Sequence, residues 1–411
     1  MGLGLETYLC GCHGRARGHR RKLAGHVAVT AQDRIVVWGG YELDEQNQIN
    51  YAHRKVAMYT VALAQWRYRV THGQIPPGTC GAAAVVAGHH LFVLAGFQQD
   101  LVLDELWITG NTNAIYALNL SSLLWSRISP KGIPPIAADK LTAWTFDHFI
   151  YVFGGFGECH TPPGESVEIV LGAEAHVNRG WNNQFLRYDV ALNQWEWPHY
   201  RGHKPSPRAA HAAIVVGSSA FIFGGRLDNT RLNDLYHCDL NSLTWTCLMT
   251  ASENFDPTRP QGRSWHSLTV VSATSAILYG GYDNRNTPLS DCWRLDLSEP
   301  KSLQTSRPRW TRLAFADRQP RLWHQAVLEP ESRQLWLLGG VVKDILNQHE
   351  LNQHPDKIDK LVIEASPLKY LAAVTCAKHY ERLKRDLEFI PKSLQASVKS
   401  KAAIDVSHLE F

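Results

Sequence analysis

The chain has 411 residues, of which 44% are hydrophobic, and its 42 basic and 38 acidic residues leave a formal net charge of +4. This weak charge argues against a nucleic-acid-binding protein, and no apolar run is long enough to cross a membrane. The eight cysteines are scattered without a disulfide framework, which predicts a reducing compartment, the cytoplasm, the nucleus or both. The basic run 15–22 is interpreted as a solvated arm rather than as a nuclear address.

An apolar run that ends in a small-residue doublet, usually Gly-Gly, occurs six times along the chain. The doublets are Gly39–Gly40, Ala95–Gly96 (a degenerate copy), Gly154–Gly155, Gly224–Gly225, Gly280–Gly281 and Gly339–Gly340. A Tyr and then a Trp follow in most copies. Several of these tryptophans lie 30 positions before the second glycine of the next doublet, namely Trp66, Trp125, Trp195 and Trp310. Such regular spacing indicates an internal structural repeat.

This pattern resembles the kelch repeat over about residues 23–365. Each copy is interpreted as four short strands, and a period of this length favours a propeller over a stacked β-sandwich. The predicted fold is all-β, a six-bladed kelch β-propeller in residues 1–365, followed by a short α-helical tail in 366–411. The sixth copy offers one clear strand after its doublet, so we expect the segment near Leu5–Leu9 to supply the missing strand.

The loops that follow the doublets converge at one mouth of a propeller channel, where ligands bind. The third of these loops is the longest, from Phe156 to about residue 184. After the fourth doublet come Arg226 and Arg231, both beyond the strand end. Two guanidinium groups in a partly dry pocket favour an anion, either a carboxylate or a phosphate.

Three further arginines open blades in the pattern Arg-x-x-His, at Arg208, Arg263 and Arg321. We interpret them, with His266 and His324, as structural side chains that link blades through hydrogen bonds.

Catalysis finds little support in the sequence. It contains no Ser/His/Asp set that can be defended and no glycine-rich phosphate loop. The short run Cys10, Cys12 and His13 is interpreted as chance rather than as a metal site, and copper chemistry would need a Tyr/His cluster that is not found. We therefore expect a binding protein that uses no cofactor and no metal, and not an enzyme.

The hydrophobic pattern becomes helical after the repeats. Ser366 and Pro367 suit a helix start, and Leu368 and Leu371 begin an apolar stripe. A second short segment carries Ile390, Pro391, Leu394 and Val398. Two interpretations remain open: the stripe packs on the underside of the propeller, or it is an adaptor-binding helix.

The first segment resembles an elongin-binding box, in which Leu371 and Cys376 are the matching residues. The usual spacing would place the leucine at position 372, which is Ala372 in this chain. The second segment resembles a cullin-2 box. On a kelch ring, the pair is similar to the tail of kelch-domain substrate receptors of cullin-2 ubiquitin ligases. The resemblance implies elongin B/C, cullin-2 and the C-termini of substrate proteins as partners.

Some receptors of this group recognise substrate C-termini that end in glycine, and several of their sequence pieces match this chain. The resemblance implies that Arg226, Arg231 and Ser264 hold the terminal carboxylate. It implies that the pocket is lined by Lys140, Trp181, His211 and Trp265. Phe156 stands where a close relative has a tyrosine, which implies one hydrogen bond fewer. The expected function is substrate recognition for a ubiquitin ligase; the alternative is a kelch scaffold that binds a folded protein, for example a cytoskeletal one, without a ligase.

Overall fold

The computed structural model describes residues 23–43, 49–60, 65–102, 106–172, 178–297, 308–315, 318–329, 331–343, 353–355 and 358–363, with positions 372, 391–392, 394–395 and 397–399 of the tail. These residues form antiparallel blades whose innermost strands contact one another in a ring. The prediction of an all-β propeller with a short C-terminal helix is confirmed.

Within each of the six blades, the strands follow one another in chain order from the channel outward. They are β1 (Ala24–Ala31), β2 (Arg34–Leu43), β4 (Lys55–Thr60) and β5 (Gln65–Val70) in blade I; β8 (Ala83–Ala87), β9 (His90–Val102), β10 (Leu106–Asn119) and β11 (Leu124–Ile128) in blade II; β13 (Thr142–Phe146), β14 (Phe149–Phe153), β18 (Phe185–Asp189) and β19 (Gln194–Glu196) in blade III; β21 (Ala212–Val216), β22 (Ser219–Leu227), β23 (Thr230–Asp239) and β24 (Thr244–Met249) in blade IV; β26 (Ser267–Ser272), β27 (Ser275–Asp283), β28 (Pro288–Asp296) and β29 (Arg309–Leu313) in blade V; and β30 (Gln325–Leu328), β31 (Leu335–Leu338) and β32 (Asp359–Leu361) in blade VI.

Shorter strands lie beside the blades or extend them beyond the doublets. They are β3 (Ile49–Tyr51), β6 (His72–Gly73), β7 (Gly78–Cys80), β12 (Ala138–Asp139), β15 (Phe156–Glu158), β16 (Ile169–Leu171), β17 (Arg179–Asn182), β20 (Arg201–Gly202) and β25 (Arg263–Ser264). Burial falls from the interior of the blades to the rim: β27 is buried along its whole length, whereas the outermost strand β5 is mostly exposed.

The doublets lie where the second strand of a blade passes its neighbours at contact distance. A Cβ on Gly224 would lie 2.9 Å from the carbonyl oxygen of Arg263 and 3.0 Å from the His266 ring, both in the next blade. A Cβ on Gly225 would lie 2.8 Å from the Cβ of His211 in the same blade, and its φ of +102° is one that side chains rarely adopt. Blade packing therefore requires glycine at both positions.

Aromatic side chains pack across the blade junctions, as their regular spacing predicts. A tryptophan on the outer strand of one blade meets an aromatic ring on the second strand of the preceding blade. The centroid distances are 5.2 Å for Trp125 and Trp38, 5.6 Å for Trp245 and Phe153, and 5.0 Å for Trp310 and Phe223. These pairs bury large apolar areas and fix neighbouring blades to one another.

A closed circle of backbone hydrogen bonds surrounds the top of the channel. Six residues, one per blade, have φ between 54° and 65°, and each donates its N–H to the carbonyl oxygen of the corresponding residue in the preceding blade. We call them the collar: Gly25, Gly81, Lys140, Ala210, Trp265 and Trp323. The bond from Gly25 to Trp323, 3.5 Å long, closes the circle.

Blades VI and I are also joined by side chains. The Thr30 hydroxyl of β1 donates to the carbonyl oxygen of Leu328 in β30 at 3.0 Å, and the rings of Tyr59 and Trp336 are 4.6 Å apart. Three strands of blade VI are described. The predicted contribution of residues near Leu5–Leu9 lies outside the described residues and stays a prediction.

The arginines of the Arg-x-x-His pattern are fully buried. Each guanidinium contacts an aspartate of its own blade at 2.7 Å: Arg208 with Asp234, Arg263 with Asp291 and Arg321 with Asp359. Each also donates to the carbonyl oxygen of the first glycine of its blade's doublet. The arginines are structural, as expected, but the prediction that their side chains link blades is wrong for these contacts, which lie within one blade. It is the backbone carbonyl oxygens of Arg208 and Arg321 that accept hydrogen bonds from the preceding blade, from Gly155 and Gly281.

Part of the tail is described. Positions 392, 394–395 and 397–399 are helical, and the carbonyl oxygen of Pro391 accepts from the N–H groups of Leu394 and Gln395. Pro391 is exposed, Leu394 is half-buried and Val398 is buried. Four residues of the predicted partner-binding segments lie outside the described residues, namely Leu368, Leu371, Cys376 and Ile390. Among the described residues, no helix is long and apolar enough to span a membrane.

Candidate functional site

The long third loop builds one wall of a mouth above the collar. Its strands β15, β17 and β16 form a small sheet with β12. In this sheet Phe156 lies directly opposite Trp181, their ring centroids are 4.8 Å apart, and Trp181 is buried. The described parts of this loop, 156–172 and 178–184, thus form a wall of the mouth.

Side chains of the collar form the floor of this mouth. Since Lys140, Trp265 and Trp323 are in the left-handed conformation, their side chains leave the strands they precede and meet each other. The two tryptophan rings are 5.8 Å apart, and the Lys140 ammonium lies 5.8 Å from the Trp323 ring and 5.7 Å from the Phe156 ring. Below the collar is a channel cavity of about 240 Å³.

Two arginines lie opposite each other on the hairpin that extends blade IV above its doublet. The register of β22 and β23 pairs Arg226 with Arg231. The guanidinium carbon of Arg226 is 5.6 Å from the Trp181 ring, and that of Arg231 is 4.5 Å from the Tyr282 ring. Arg231 is 5% exposed, and its backbone exchanges hydrogen bonds of 2.7 and 2.9 Å with the Asn284 side chain. Like charges directly opposite are unfavourable, so this pair favours an anion between them.

Ser264 completes this side of the mouth. It pairs with Tyr282 in the register of β25 and β27, which places it beside the residue whose ring Arg231 covers. Its hydroxyl is buried and has no hydrogen-bond partner among the residues that the structure describes. The indole N–H of the adjacent Trp265 is also buried and has no hydrogen-bond partner among the described residues. Both groups are donors that a ligand atom would satisfy.

The charge of the mouth is positive. Lys140 contacts one carboxylate oxygen of Asp139 at 2.6 Å, and Arg179 lies 3.6 Å from the other. One carboxylate therefore serves two cations. Within the described residues Arg226 forms no ion pair, and its Nε donates to the carbonyl oxygen of Asp228 at 2.6 Å.

Comparison with known proteins identifies the family. The sequence model of the KLHDC2/KLHL20/DRC7 Kelch-repeats domain matches residues 25–271. Kelch domain-containing protein 2 of Bos taurus is 32% identical over 393 residues, which cover 92% of this chain and 90% of that protein. The chain belongs to this kelch-repeat family. Kelch domain-containing protein 1 of Mus musculus is 28% identical over 388 residues, 92% of this chain and 89% of that protein.

A solved structure, that of YjhT, superimposes on this kelch protein with a TM-score of 0.56 at 14% identity, covering 82% of this chain and 94% of the other. The likeness shows a shared fold. Kelch propellers typically act as non-catalytic binding scaffolds. Within the described residues, no group of three or more His, Cys, Asp or Glu is arranged to hold a metal ion.

Of the residues predicted to line the pocket, His211 is the one that lies outside the mouth. It follows Ala210 of the collar, so its ring is below the mouth, where Nε2 is 2.7 Å from the Thr142 hydroxyl of the preceding blade. Burial holds the pKa of His211 well below its ordinary value, and the charge of Arg208 lowers it further. A neutral His211 that links two blades supports the mouth from beneath.

Three residues of the mouth were not assigned to the site from the sequence. Arg179 lies 4.7 Å from the Phe156 ring, Tyr282 lies under Arg231, and Trp323 stacks beside Trp265. A signal existed for Trp323, because it occupies in the sixth repeat the position that Trp265 occupies in the fifth. Tyr282 follows a doublet directly, but nothing in its neighbourhood marks it as a platform for an arginine of the preceding blade.

Proposed function

We propose that this kelch protein is the substrate-recognition subunit of a cullin-2 RING ubiquitin ligase and binds the glycine-ending C-termini of target proteins. The observation that carries the proposal is the cross-strand pair Arg226 and Arg231, set above aromatic rings in a mouth of positive charge. Ubiquitin transfer would take place on other subunits, so the chain itself is not an enzyme. It acts in the cytoplasm, the nucleus or both.

A C-terminal carboxylate fits this site better than any internal part of a peptide. Guanidinium groups bind a carboxylate through two parallel charge-assisted hydrogen bonds, which are about twice as strong as neutral ones. An internal peptide bond carries no charge to match two arginines. The Ser264 hydroxyl and the Trp265 indole N–H supply further donors beside them. Selection of a final residue that has no Cβ is part of the proposal, and it requires that Trp265 and the rings beside it leave no room for a Cβ.

Fluorescence polarisation tests the carboxylate directly. A glycine-ending peptide should bind more tightly, by roughly thirty-fold or more, than the same peptide with an amidated C-terminus, because amidation removes the charge that both arginines bind. An alanine-ending peptide should also bind less tightly. Equal affinity for the acid and the amide would disprove recognition of the C-terminus; equal affinity for glycine and alanine would remove the glycine specificity only.

The ligase part of the proposal is supported by the tail sequence. Pro391 is exposed at the start of a helical turn and Leu394 lies half-buried one turn later, so both are accessible to a partner in part. Val398 is buried, which suits a residue that holds the segment in place.

Changing both tail segments together should disconnect the propeller from its partners. We expect Leu371→Asp with Pro391→Ala to lower the recovery of elongin B/C and cullin-2 in a pulldown about tenfold, since truncating a few central interface residues removes most of the binding energy. The exposed Lys392→Ala is the matched control and should retain both partners. Undiminished recovery by the double variant would favour a kelch scaffold without a ligase.

A further inference from the structure

A second concave surface, of about 960 Å³, lies on the same face of the propeller as the mouth, over the outer half of blade V. It runs between the connection that joins blades IV and V and the residues that follow β29. Its apolar lining includes Leu289, Leu313 and Phe315, and at its edge the side chain of Phe255 is 81% exposed. We call this surface the blade V groove.

The groove begins beside the arginine pair of the mouth. Gln261, which lines the groove, donates to the Asp283 carboxylate at 2.8 Å, and Asp283 directly follows the Tyr282 ring beneath Arg231. The backbone of Gly262 is so close to Arg231 that a Cβ there would lie 2.1 Å from its carbonyl oxygen. A peptide anchored at Arg231 by its C-terminus therefore has the groove directly next to it.

The acidic side chains of the groove are already engaged. Asp256 lies 3.4 Å from the Arg259 guanidinium, and Asp291 is held by Arg263 at 2.7 Å. Arg312 also lines the groove, on an exposed position of β29, and forms no ion pair with any described residue. Positive charge thus remains in the groove after these pairs are formed.

Arg318 adds a second cation of this kind. Its guanidinium carbon lies 3.3 Å from the Phe315 ring, and its three nitrogens are shielded from solvent without an oxygen acceptor among the described residues. The thiol of Cys292, a weak acceptor, is beside it. Burial lowers the pKa of Arg318. Cys292 and the charge of Asp359 offset only part of the cost of burying this guanidinium, so an anionic ligand in the groove would lower that cost further.

We propose that the blade V groove binds acidic residues of the ligand, N-terminal to the carboxylate that Arg226 and Arg231 hold. Arg312, which is exposed, contacts these acidic side chains, the shielded charge of Arg318 attracts them from behind the groove surface, and Phe255 covers their aliphatic parts. The proposal rests on the proposed function and defines its substrates more narrowly: C-terminal peptides whose upstream residues are acidic. A receptor of this design selects the end of a chain by one site and the preceding sequence by another.

The test compares two peptides with the same glycine-ending C-terminus, one with glutamates upstream and one with glutamines at those positions. At low salt the glutamate peptide should bind about tenfold more tightly, because the ion pair with Arg312 and the nearby charge of Arg318 each contribute a few-fold. High salt should reduce this advantage. In Arg312→Gln with Arg318→Gln the two peptides should bind equally, and the affinity for the glutamine peptide should not change.

Arg127→Gln, on the exposed outer strand of blade II, removes the same charge far from the groove and should preserve the advantage. The single change Arg312→Gln, at an exposed position, tests the groove if the Arg318 variant fails to fold, and should halve the advantage or more. An advantage that is absent in the native protein, or that survives in the groove variants, overturns the proposal. Amidated versions of both peptides distinguish a failure of the groove from a failure of the proposed function. If both amides bind less tightly than the corresponding acids, the C-terminal site stands and only the groove fails. If amidation changes neither affinity, the proposed function itself is rejected.

Discussion

Replacing Arg231 with alanine is expected to weaken the binding of a glycine-ending peptide roughly thirty-fold or more. Arg231 is 5% exposed, and its guanidinium is fixed over the Tyr282 ring at 4.5 Å. A carboxylate bound there is removed from water, and truncating one partner of such a pair costs about 2–5 kcal/mol. The change should leave the fold intact, because the backbone of Arg231 keeps its hydrogen bonds to Asn284.

The amidated peptide provides the decisive control for Arg231. If the guanidinium binds the carboxylate, Arg231→Ala should reduce the affinity for the acid peptide far more than that for the amide, since the two changes remove the same interaction. Arg285→Ala, an exposed cation on the next turn, should weaken binding less than about threefold. Equal losses for the acid and the amide would show that Arg231 supports the mouth without contacting the C-terminus.

The propeller was predictable because its constraints recur in the sequence at a fixed spacing. Gly224 and Gly225 are required by contacts with His266 and His211, and the same contacts recur from blade to blade. The aromatic positions are likewise a consequence of packing across each junction. A repeated steric requirement leaves a repeated sequence signal, so the number of blades follows from counting.

The collar was not predictable in the same way. Its members are glycine in two blades and Lys140, Ala210, Trp265 and Trp323 in the others, so no residue type marks the position. The left-handed conformation is imposed by hydrogen bonds between blades that are distant in sequence. Tertiary contacts of this kind override local preference, and they decide where the side chains of Lys140 and Trp265 point.

For the candidate site, the sequence separated two groups of arginines by position. Arg208 and its repeats precede an inner strand and meet an aspartate of their own blade, whereas Arg226 and Arg231 lie beyond the doublet. The sequence did not identify the residues that surround Arg226 and Arg231. Arg179 lies in β17 and Tyr282 in β27, strands that extend different blades. Their contacts with Phe156 and Arg231 depend on the packing of the ring rather than on any local pattern.

Replacing Arg208 with alanine should reduce the free energy of unfolding by about 3–5 kcal/mol. Its guanidinium is fully buried and contacts both carboxylate oxygens of Asp234, at 2.7 and 2.9 Å, as well as the carbonyl oxygen of Gly224. Its own carbonyl oxygen accepts from Gly155 of blade III at 2.8 Å. The variant would leave a carboxylate that is 5% exposed without its counter-ion inside the protein, and this desolvated charge accounts for most of the loss.

Urea unfolding followed by tryptophan fluorescence measures the loss, with Arg34→Ala as the matched control. Arg34 also pairs with an aspartate, Asp33 at 3.4 Å, but the two side chains are 43% and 55% exposed, so the control should cost less than about 1 kcal/mol. Similar losses for Arg208→Ala and Arg34→Ala would contradict the structural role.

The double variant Arg208→Met with Asp234→Leu separates the effect of charge from that of packing. Because it leaves no unpaired ion, it should be more stable than Arg208→Ala alone. If the double variant is less stable than Arg208→Ala, the loss of stability comes from the missing hydrogen bond to Gly224 and the missing volume of the arginine, and not from the unpaired carboxylate.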